Sequence, residues 1–452
     1  MAAQPFAIEL LFHTLKDLPE SSCYRVAYSG GLDSHVLLHA LSALSNKIPQ
    51  QLAAVHVNHG LNDKRFEWAE HCSKVCDELG VPCQFVEIDA GSPEGQSPES
   101  WARQLRYQAL AAQLQQGEIL LTAHHKDDQA ETLLLQLLRG AGPDGLSAMP
   151  ALRRFGAAWH ARPLLQYNRQ QLMDYAEQQG LHWVDDDSNR DKRFDRNYLR
   201  HKIMPLLDQR WGNISDTLAR AASHQAESAE LQKQLASIDI ESCLLVKFNA
   251  LNIIKLGELS DARKKNVIRY WLQEMQLSVP DARKMQHILV DVLQSKQDAV
   301  ACVSWPGAEI RRYKDKLFAS TPLCDHDSRQ IVRWQLDEVC RISHGELTAC
   351  LAKGQGIKKS LCPDNCIEVR YRSGGETIKP VGRRHQHDLK KLFQETGIPP
   401  WFRYRIPLLF IKGRLAAVPG FWIDEQFSAD VNEDAWQISW SGVDEIVIVD
   451  ET

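Results

Sequence analysis

A six-residue turn near the start of the chain carries the clearest chemical signal in the sequence. Its residues are Ser29, Gly30, Gly31, Leu32, Asp33 and Ser34. Two adjacent glycines let the backbone bend tightly, and the unpaired N–H groups of a following helix attract anions. The serine hydroxyls add donors, so we predict a phosphate-binding turn, although a bare Ser-Gly-Gly turn is more often structural. Asp33 would repel phosphate, and its presence makes sense if it binds a phosphate-bound Mg²⁺.

A second polar segment, residues 123–132, reads Ala-His-His-Lys-Asp-Asp-Gln-Ala-Glu-Thr. On a helix, His124, Asp128 and Glu131 would share one face. Two carboxylates and an imidazole can bind Mg²⁺ or transfer protons. A solvated helix start is the alternative, because acidic residues are favoured there. The leucine-rich residues 133–138 predict a buried opposite face, which favours a catalytic site in which Asp33 and Asp128 are the Mg²⁺ ligands.

Two other segments could border the same site. His56 and Asn58 end a predicted strand, where they are either pocket residues or an ordinary polar strand exit. The second segment has a helical pattern that places four polar side chains on one helix, where they either lie near the site or form a surface ion-pair face: Glu99, Arg103, Arg106 and Tyr107.

The basic segment around residues 187–201 reads Asp-Ser-Asn, then Arg196-Asn197 and Arg200-His201. Arginine suits phosphate because its guanidinium is always charged and binds in a bidentate manner. Arg196 and Arg200 could therefore hold the phosphates of a nucleotide, a nucleic-acid backbone, or both. A solvated charged helix is the alternative.

The elements that must position these residues alternate between strands and helices. The pattern predicts strands over residues 24–28, 52–58, 83–88 and 119–123, and helices over 34–44, 62–79, 99–114 and 127–138. Such alternation predicts an α/β domain with a Rossmann-like parallel sheet, whose ligands bind beyond the C-terminal ends of the strands. We predict three domains: residues 1–215, a mostly helical 216–335, and a small α+β domain over 340–452.

Composition excludes several classes of protein. The 452 residues contain no apolar run of about 18 residues, so no membrane span is expected, and no signal peptide is evident. The 11 cysteines include no Cys-x-x-Cys pair, which favours reduced thiols in a cytoplasmic protein.

The charge distribution predicts one basic docking surface. The net charge is −5, yet residues 370–414 hold 11 Lys/Arg against 3 Asp/Glu. Basic side chains interleaved with aromatic ones suit RNA, since cations hold phosphates while rings stack on bases. The candidate RNA-binding residues in this region are Arg383, Arg384, Lys390 and Lys391.

These motifs together resemble one family of enzymes. The turn at 29–34 resembles the PP-loop of the ATP-pyrophosphatase superfamily. The His-Val-Asn-His-Gly-Leu string at 56–61, the 123–132 segment and the Asp-Ser-Asn…Arg-Asn-x-x-Arg pattern resemble the tRNA(Ile)-lysidine synthetase family. The Leu-Lys-Lys-Leu-Phe-Gln-Glu…Ile-Pro-Pro-Trp pattern at 389–401 resembles the C-terminal domain of its longer members.

The resemblance implies a reaction and a set of partners. ATP with Mg²⁺ would adenylate the C2 oxygen of the wobble cytidine of the isoleucine tRNA with a CAU anticodon, and free L-lysine would then displace AMP. It also implies that the strand of His56 and Asn58 flanks adenine, that the 99–107 helix lies near the pocket, and that Arg196 takes part in activity. His124 and Glu131 would act in proton transfer or hold the lysine ammonium.

Two rival functions stay open at this stage. A tRNA thiolase would share the turn but needs paired cysteines, and a non-catalytic nucleotide-sensing RNA-binding protein would not need Asp33, Asp128 and Glu131. Oligomeric state, including a homodimer, is not predicted by the sequence. We expect the helical and basic C-terminal domains to bind the acceptor stem of the tRNA.

Overall fold

The structure is a computed structural model that describes residues 5–58, 65–88, 98–185, 190–246, 249–296, 301–323 and 326–442. It divides into two compact units, Met1–Leu231 and Gln232–Thr452. Three parts of the sequence motifs lie outside the described residues: residues 59–61 after the second strand, the Asp-Ser-Asn segment at 187–189, and the side chain of Glu99.

The first unit is built around a six-stranded sheet. Its elements in chain order are α1 Ile8–Lys16, β1 Cys23–Ala27, α2 Leu32–Ala43, β2 Gln51–Asn58, α3 Arg65–Leu79, β3 Cys83–Glu87, α4 Pro98–Ala112, β4 Glu118–Leu121, α5 Lys126–Leu138, α6 Pro143–Leu146, β5 Leu152–Phe155, β6 Ala158–Ala161, α7 Arg169–Gln178, α8 Asp195–Tyr198, a π-helical turn Leu199–Ile203, α9 Met204–Trp211 and the start of α10 Ile214–Cys243. The strand order is β3-β2-β1-β4-β6-β5, and only β5 runs antiparallel to its neighbour.

The centre of this sheet is buried on both faces, as expected when helices cover a parallel sheet. Val26 of β1 pairs with Ala54 of β2 and Leu121 of β4, and all three are fully buried. The predicted parallel α/β sheet is therefore confirmed. The hairpin β5–β6 was not predicted, because each of its strands has only four residues and gives too short a pattern.

The second unit begins within α10 and contains two separate hydrophobic cores. Around the first core lie β7 Leu244–Leu245, β8 Ala250–Asn252, α11 Ile253–Gly257, α12 Asp261–Glu274, α13 Ala282–His287, a π-helical turn Ile288–Val292, β9 Cys302–Trp305, β10 Ala308–Tyr313 and β11 Lys316–Ser320. Helices dominate this region as predicted, but its strands also form an antiparallel sheet in the order β7-β8-β11-β10-β9. These strands of two to six residues escaped the sequence pattern.

The second core is covered mainly by strands. Its elements are β12 Val332–Gln335, β13 Cys340–Ile342, β14 Gly345–Lys353, β15 Ile357–Lys358, two short 3₁₀ turns Lys359–Leu361 and Pro363–Asn365, β16 Cys366–Arg370, β17 Thr377–Ile378, β18 His387–Asp388, α14 Leu389–Glu395, α15 Pro400–Arg403, β19 Leu408–Ile411, β20 Arg414–Val418, β21 Trp422–Ile423 and β22 Asp434–Trp440. Leu389, Leu392 and Phe393 of α14 are fully buried, which orients the opposite face of that helix to solvent. Within the described residues, no helix is long and apolar enough to cross a bilayer.

Candidate active site

The predicted phosphate turn connects β1 to α2. Gly30 has φ +82°, a left-handed conformation that favours glycine, and a Cβ there would lie 2.9 Å from Cys72 Sγ. The Ser34 hydroxyl donates to Gly31 O at 3.0 Å and lies 3.1 Å from the Ser29 hydroxyl. These contacts hold the turn closed, while the first N–H groups of α2 have no carbonyl one turn earlier to pair with. The turn therefore offers donors to an anion.

Asp33 extends from this turn with one carboxylate oxygen uncommitted. Its Oδ1 is buried and has no hydrogen-bond partner, while Oδ2 lies 3.7 Å from His125 Nε2. Burial raises the pKa of the Asp33 carboxyl, although the nearby His125 opposes that shift. A buried, unpartnered carboxylate oxygen beside an anion-binding turn fits a Mg²⁺ ligand.

The two adjacent histidines have opposite protonation states. His124 is not on a helix as the sequence predicted: α5 begins at Lys126, with His125 as its N-cap, and His124 remains in the strand exit. Burial lowers the pKa of His124 to about 3, so its imidazole is neutral. Burial alone would also lower the pKa of His125, but Asp128, Asp127 and Asp33 raise it to about 9. The sequence analysis did not single out His125, because nothing in the local pattern reports that Asp33 lies beside it.

The carboxylates of α5 form an ion-pair cluster with the arginines of α8 and the following turn. Glu131 accepts from Arg196 Nε at 2.8 Å and from Arg200 Nε at 2.6 Å. Asp128 Oδ1 accepts from the same two arginines at 3.2 and 3.0 Å. We call these four residues the carboxylate–arginine cluster. Burial alone would raise the pKa of Asp128, but His125 and the two arginines lower it well below its usual range.

Most of the predicted residues line one cavity of ≈480 Å³ in the first unit. They are Ser29, Gly31, Leu32, Asp33, Ser34, His56, Asn58, His124, Asp128 and Arg200. Gly30, Glu131 and Arg196 do not line the cavity. Glu131 contacts the lining residue Arg200, and Arg196 contacts the lining residue Asp128. Arg200, predicted to bind tRNA, thus lies in the carboxylate–arginine cluster. We call this space the nucleotide cavity.

The lining also includes residues that the sequence analysis missed. They are contributed by α3, by the start of α7 and by the chain after α7: Trp68, Arg169, Trp183 and Arg190. Arg106 and Tyr107 of α4, which the sequence left open as a surface face, line the cavity as well. No local pattern marks the first four, because their elements are brought to the site only by folding.

No group of three or more His, Cys, Asp or Glu side chains within the described residues is arranged to hold a metal ion. Mg²⁺ commonly keeps several non-protein oxygen ligands, including substrate phosphates, which suits a site with one free carboxylate oxygen at Asp33.

The predicted RNA-binding side chains of the second unit are exposed, whereas other basic residues nearby are structural. Lys390 and Lys391 lie on the solvent face of α14, and Arg384 is also exposed. Arg383 is paired with Glu395 at 2.9 Å. Arg403 is buried and donates to Ile398 O and the Tyr313 hydroxyl, both at 2.8 Å. The local surplus of positive charge is therefore only partly available to a partner.

Comparison with known proteins agrees with this geometry. Residues 6–207 match the sequence profile of the PP-loop domain. Residues 251–318 and 367–440 match profiles described as the TilS substrate binding domain and the TilS substrate C-terminal domain. These matches and the site define an ATP-dependent PP-loop enzyme.

The chain is similar over nearly its full length to tRNA(Ile)-lysidine synthases from three bacteria. It is 42% identical to the protein of Coxiella burnetii over 96% of each chain. For Methylococcus capsulatus the identity is 40%, covering 91% of this chain and 94% of the relative. For Yersinia pestis it is 36%, covering 95% and 96%. The chain belongs to the tRNA(Ile)-lysidine synthase family, which decides against the thiolase alternative.

Proposed function

We propose that this chain joins free L-lysine to C2 of the wobble cytidine in the isoleucine tRNA with a CAU anticodon, at the expense of ATP. The observation that carries the proposal is the nucleotide cavity, where an anion-binding turn, a free Asp33 oxygen and the carboxylate–arginine cluster meet. The product, lysidine, pairs with A rather than G and changes the tRNA from methionine to isoleucine identity.

The first step is adenylation of the cytidine. The C2 oxygen attacks the α-phosphorus of ATP, and the bond to the β-phosphate oxygen breaks as pyrophosphate leaves. Residues 29–34 hold the phosphates, while His56 and Asn58 at the end of β2 border the adenine. Arg200, which lines the cavity, stabilises the charge that grows on the phosphate oxygens, and the carboxylates of Glu131 and Asp128 keep Arg200 in place.

The second step replaces AMP by lysine. The ε-amine attacks C2 of the adenylated cytidine, the C2–oxygen bond breaks, and AMP leaves. The amine must first lose a proton from its ammonium form. His124 faces the cavity with a neutral imidazole, but a pKa of about 3 makes it too weak a base to take that proton, so the proton passes to solvent and we assign His124 a hydrogen-bonding role toward the amine. Glu131 has both oxygens engaged by arginines, so we assign it a positioning role rather than proton transfer.

Asp33 is the residue best placed to hold Mg²⁺, with the remaining ligands supplied by phosphate oxygens and water. Asp128 is a weaker second candidate, because Arg196, Arg200 and the backbone N–H of His125 already occupy its oxygens. When bound, Mg²⁺ neutralises the triphosphate and makes pyrophosphate a better leaving group.

A labelling assay tests the proposed function. The chain is incubated with ATP, radiolabelled lysine and a transcript of the CAU isoleucine tRNA. We expect AMP and pyrophosphate release that depends on the tRNA, and one label per tRNA. A transcript with uridine in place of the wobble cytidine is the matched control and should take up none. ATP binding without label transfer would refute the proposal and support the non-catalytic alternative.

A further inference from the structure

A second cavity of ≈330 Å³ lies next to the nucleotide cavity and is lined by arginines. We call it the arginine cavity; its lining is Arg103, Gln104, Tyr107, Ala148, Met149, Pro150, Arg153 and Arg162. The lining includes no acidic residue. Within the described part of the chain, none of its three arginines is paired with a carboxylate. Three uncompensated cations around one concave space make it a site for an anion.

Tyr107 separates the two cavities and lines both of them. The guanidinium carbons of Arg103 and Arg153 lie 5.2 and 5.9 Å from the centre of its ring. Arg106, which lines the nucleotide cavity, lies 5.9 Å from the same ring. Only the side chain of Tyr107 among the described residues lines both cavities, so an anion in the arginine cavity would lie close to the nucleotide cavity.

Arg162 is the buried member of the arginine cavity, with 4% of its surface exposed. Its Nη1 donates to Pro150 O at 2.6 Å, but its Nε is buried without a hydrogen-bond partner. A buried guanidinium with an unused donor is costly unless an acceptor completes it. The exposed Arg103 and Arg153 can attract that acceptor from solvent.

Hydrogen bonds connect the arginine cavity to His124. The Thr122 hydroxyl lies 2.8 Å from His124 Nδ1 and 2.8 Å from His160 Nε2. The other ring nitrogen of His160 lies 3.4 Å from Arg153 Nε and 3.3 Å from Arg162 Nη2. An anion bound in the arginine cavity would therefore affect the orientation of His124 in the nucleotide cavity through these hydrogen bonds.

We propose that the arginine cavity binds a backbone phosphate of the RNA beside the target nucleotide. This rests on the proposed function, in which an RNA base must leave its stack and enter the nucleotide cavity. A protein keeps such an extruded base in place by binding the adjacent phosphate. Neighbouring arginines suit this role because their guanidinium groups can bind the phosphate oxygens together. A carboxylate of free lysine is the competing anion; it carries the same single negative charge as a backbone phosphate, so the two are separated by measuring tRNA affinity and the KM for lysine.

The test uses two neighbouring arginines on β5. Arg153 lines the arginine cavity, whereas Arg154 stacks on Trp159 at 3.8 Å on the opposite face of the strand. Arg153→Gln should weaken binding of the CAU tRNA to the full-length chain about 5- to 10-fold and reduce the salt dependence of binding by about one charge. Arg154→Gln makes the same change of charge and should leave both the tRNA affinity and its salt dependence unchanged. The affinity for ATP should be unchanged in either variant.

Modified RNA locates the contact. Transcripts carry a neutral methylphosphonate at one phosphate flanking the wobble cytidine at a time. At one position, the modification should weaken binding to the wild-type chain but add nothing to Arg153→Gln, because both changes remove the same contact. Fully additive effects at every position would overturn the proposal, as would equal tRNA affinities of Arg153→Gln and Arg154→Gln. A raised KM for lysine with unchanged tRNA affinity would assign the cavity to the lysine carboxylate instead.

The wild-type labelling assay separates this proposal from the proposed function. If the wild-type chain transfers no lysine to tRNA, the proposed function fails. If it transfers lysine but Arg153→Gln behaves as Arg154→Gln does, only the arginine cavity proposal fails.

Discussion

The carboxylate–arginine cluster of the first unit and the solvent face of α14 in the second unit use charge in opposite ways. In the cluster, Asp128 and Glu131 are matched by two arginines and withdrawn from water. On α14, Lys390 and Lys391 are exposed and have no ion pair with a described residue. Buried, matched charges determine geometry, and removing one leaves the others uncompensated. Exposed like charges contribute attraction that salt screens and that tolerates substitution.

The largest effect should come from Asp33, the carboxylate next to the cluster whose ion-pair partner among the described residues is His125. Asp33→Asn keeps the shape but removes the charge that would hold Mg²⁺. We expect kcat/KM for lysine transfer to fall by about 100-fold or more, which corresponds to about 3 kcal/mol of lost transition-state stabilisation. The thermal midpoint should change little. Titration with Mg²⁺ checks the cause, since the variant should require a higher concentration; an unchanged Mg²⁺ requirement would remove Asp33 as the ligand.

Glu131→Gln tests whether the cluster is held together by matched charge. The substitution leaves Arg196 and Arg200 with one carboxylate between them in a buried setting. We expect a loss of about 3 kcal/mol in the free energy of unfolding. Chemical denaturation measures it, and Glu227→Gln on the exposed surface of α10 is the control. A loss no greater than that of the control would mean that the cluster is solvated and weak.

Charge reversal at Lys390 and Lys391 tests the opposite region. The double change to Glu should weaken tRNA binding about 10-fold at moderate salt, and the difference should shrink as salt rises. ATP binding and the thermal midpoint should stay as in the wild type. Reversal of the exposed Lys47 and Lys74 of the first unit serves as the control. Equal loss of tRNA and ATP binding would refute a separate RNA-binding role for α14.

The smallest effect concerns His160, a buried histidine beside the arginine cavity. Burial lowers the pKa of His160 to about 2, so the folded state keeps it neutral while the unfolded chain binds a proton near pH 6.5. Stability is therefore lost as pH falls below about 6.5. His160→Gln should reduce that loss by up to about 1.4 kcal/mol per pH unit. Thermal midpoints at pH 7.5 and 5.5 measure it, with the exposed His385→Gln as the control; an identical pH dependence in both variants would contradict the assignment.

Local patterns identified the parts of the site that are continuous in sequence. The turn at 29–34 was readable because its glycines, serines and aspartate follow one strand, and the polar start of α5 was readable for the same reason. The parallel sheet followed from the alternation of elements. The predicted helix over 127–138 starts one residue from the observed α5, but His124 was wrongly placed on its face, since the pattern does not show that His125 caps the helix.

The contacts that give those residues their chemistry are made between residues that lie far apart in the chain. Arg196 reaches Glu131 across 65 residues, and Asp33, which lies on a different strand exit, adds to the rise in the pKa of His125 that Asp128 and Asp127 cause. The arginine cavity joins α4 to the unpredicted hairpin β5–β6. No window of sequence reports such neighbours.

The sequence by itself determined the glycine-containing turn at 29–34, the α/β order of the first unit and the identity of the acidic residues near the turn. These follow from backbone conformation and periodicity, which are local properties. Only the tertiary structure decided which of two adjacent histidines is charged, which carboxylate keeps a free oxygen, and which arginines are left unpaired. Those properties depend on burial and on the sum of nearby charges, and both arise only when distant segments pack together.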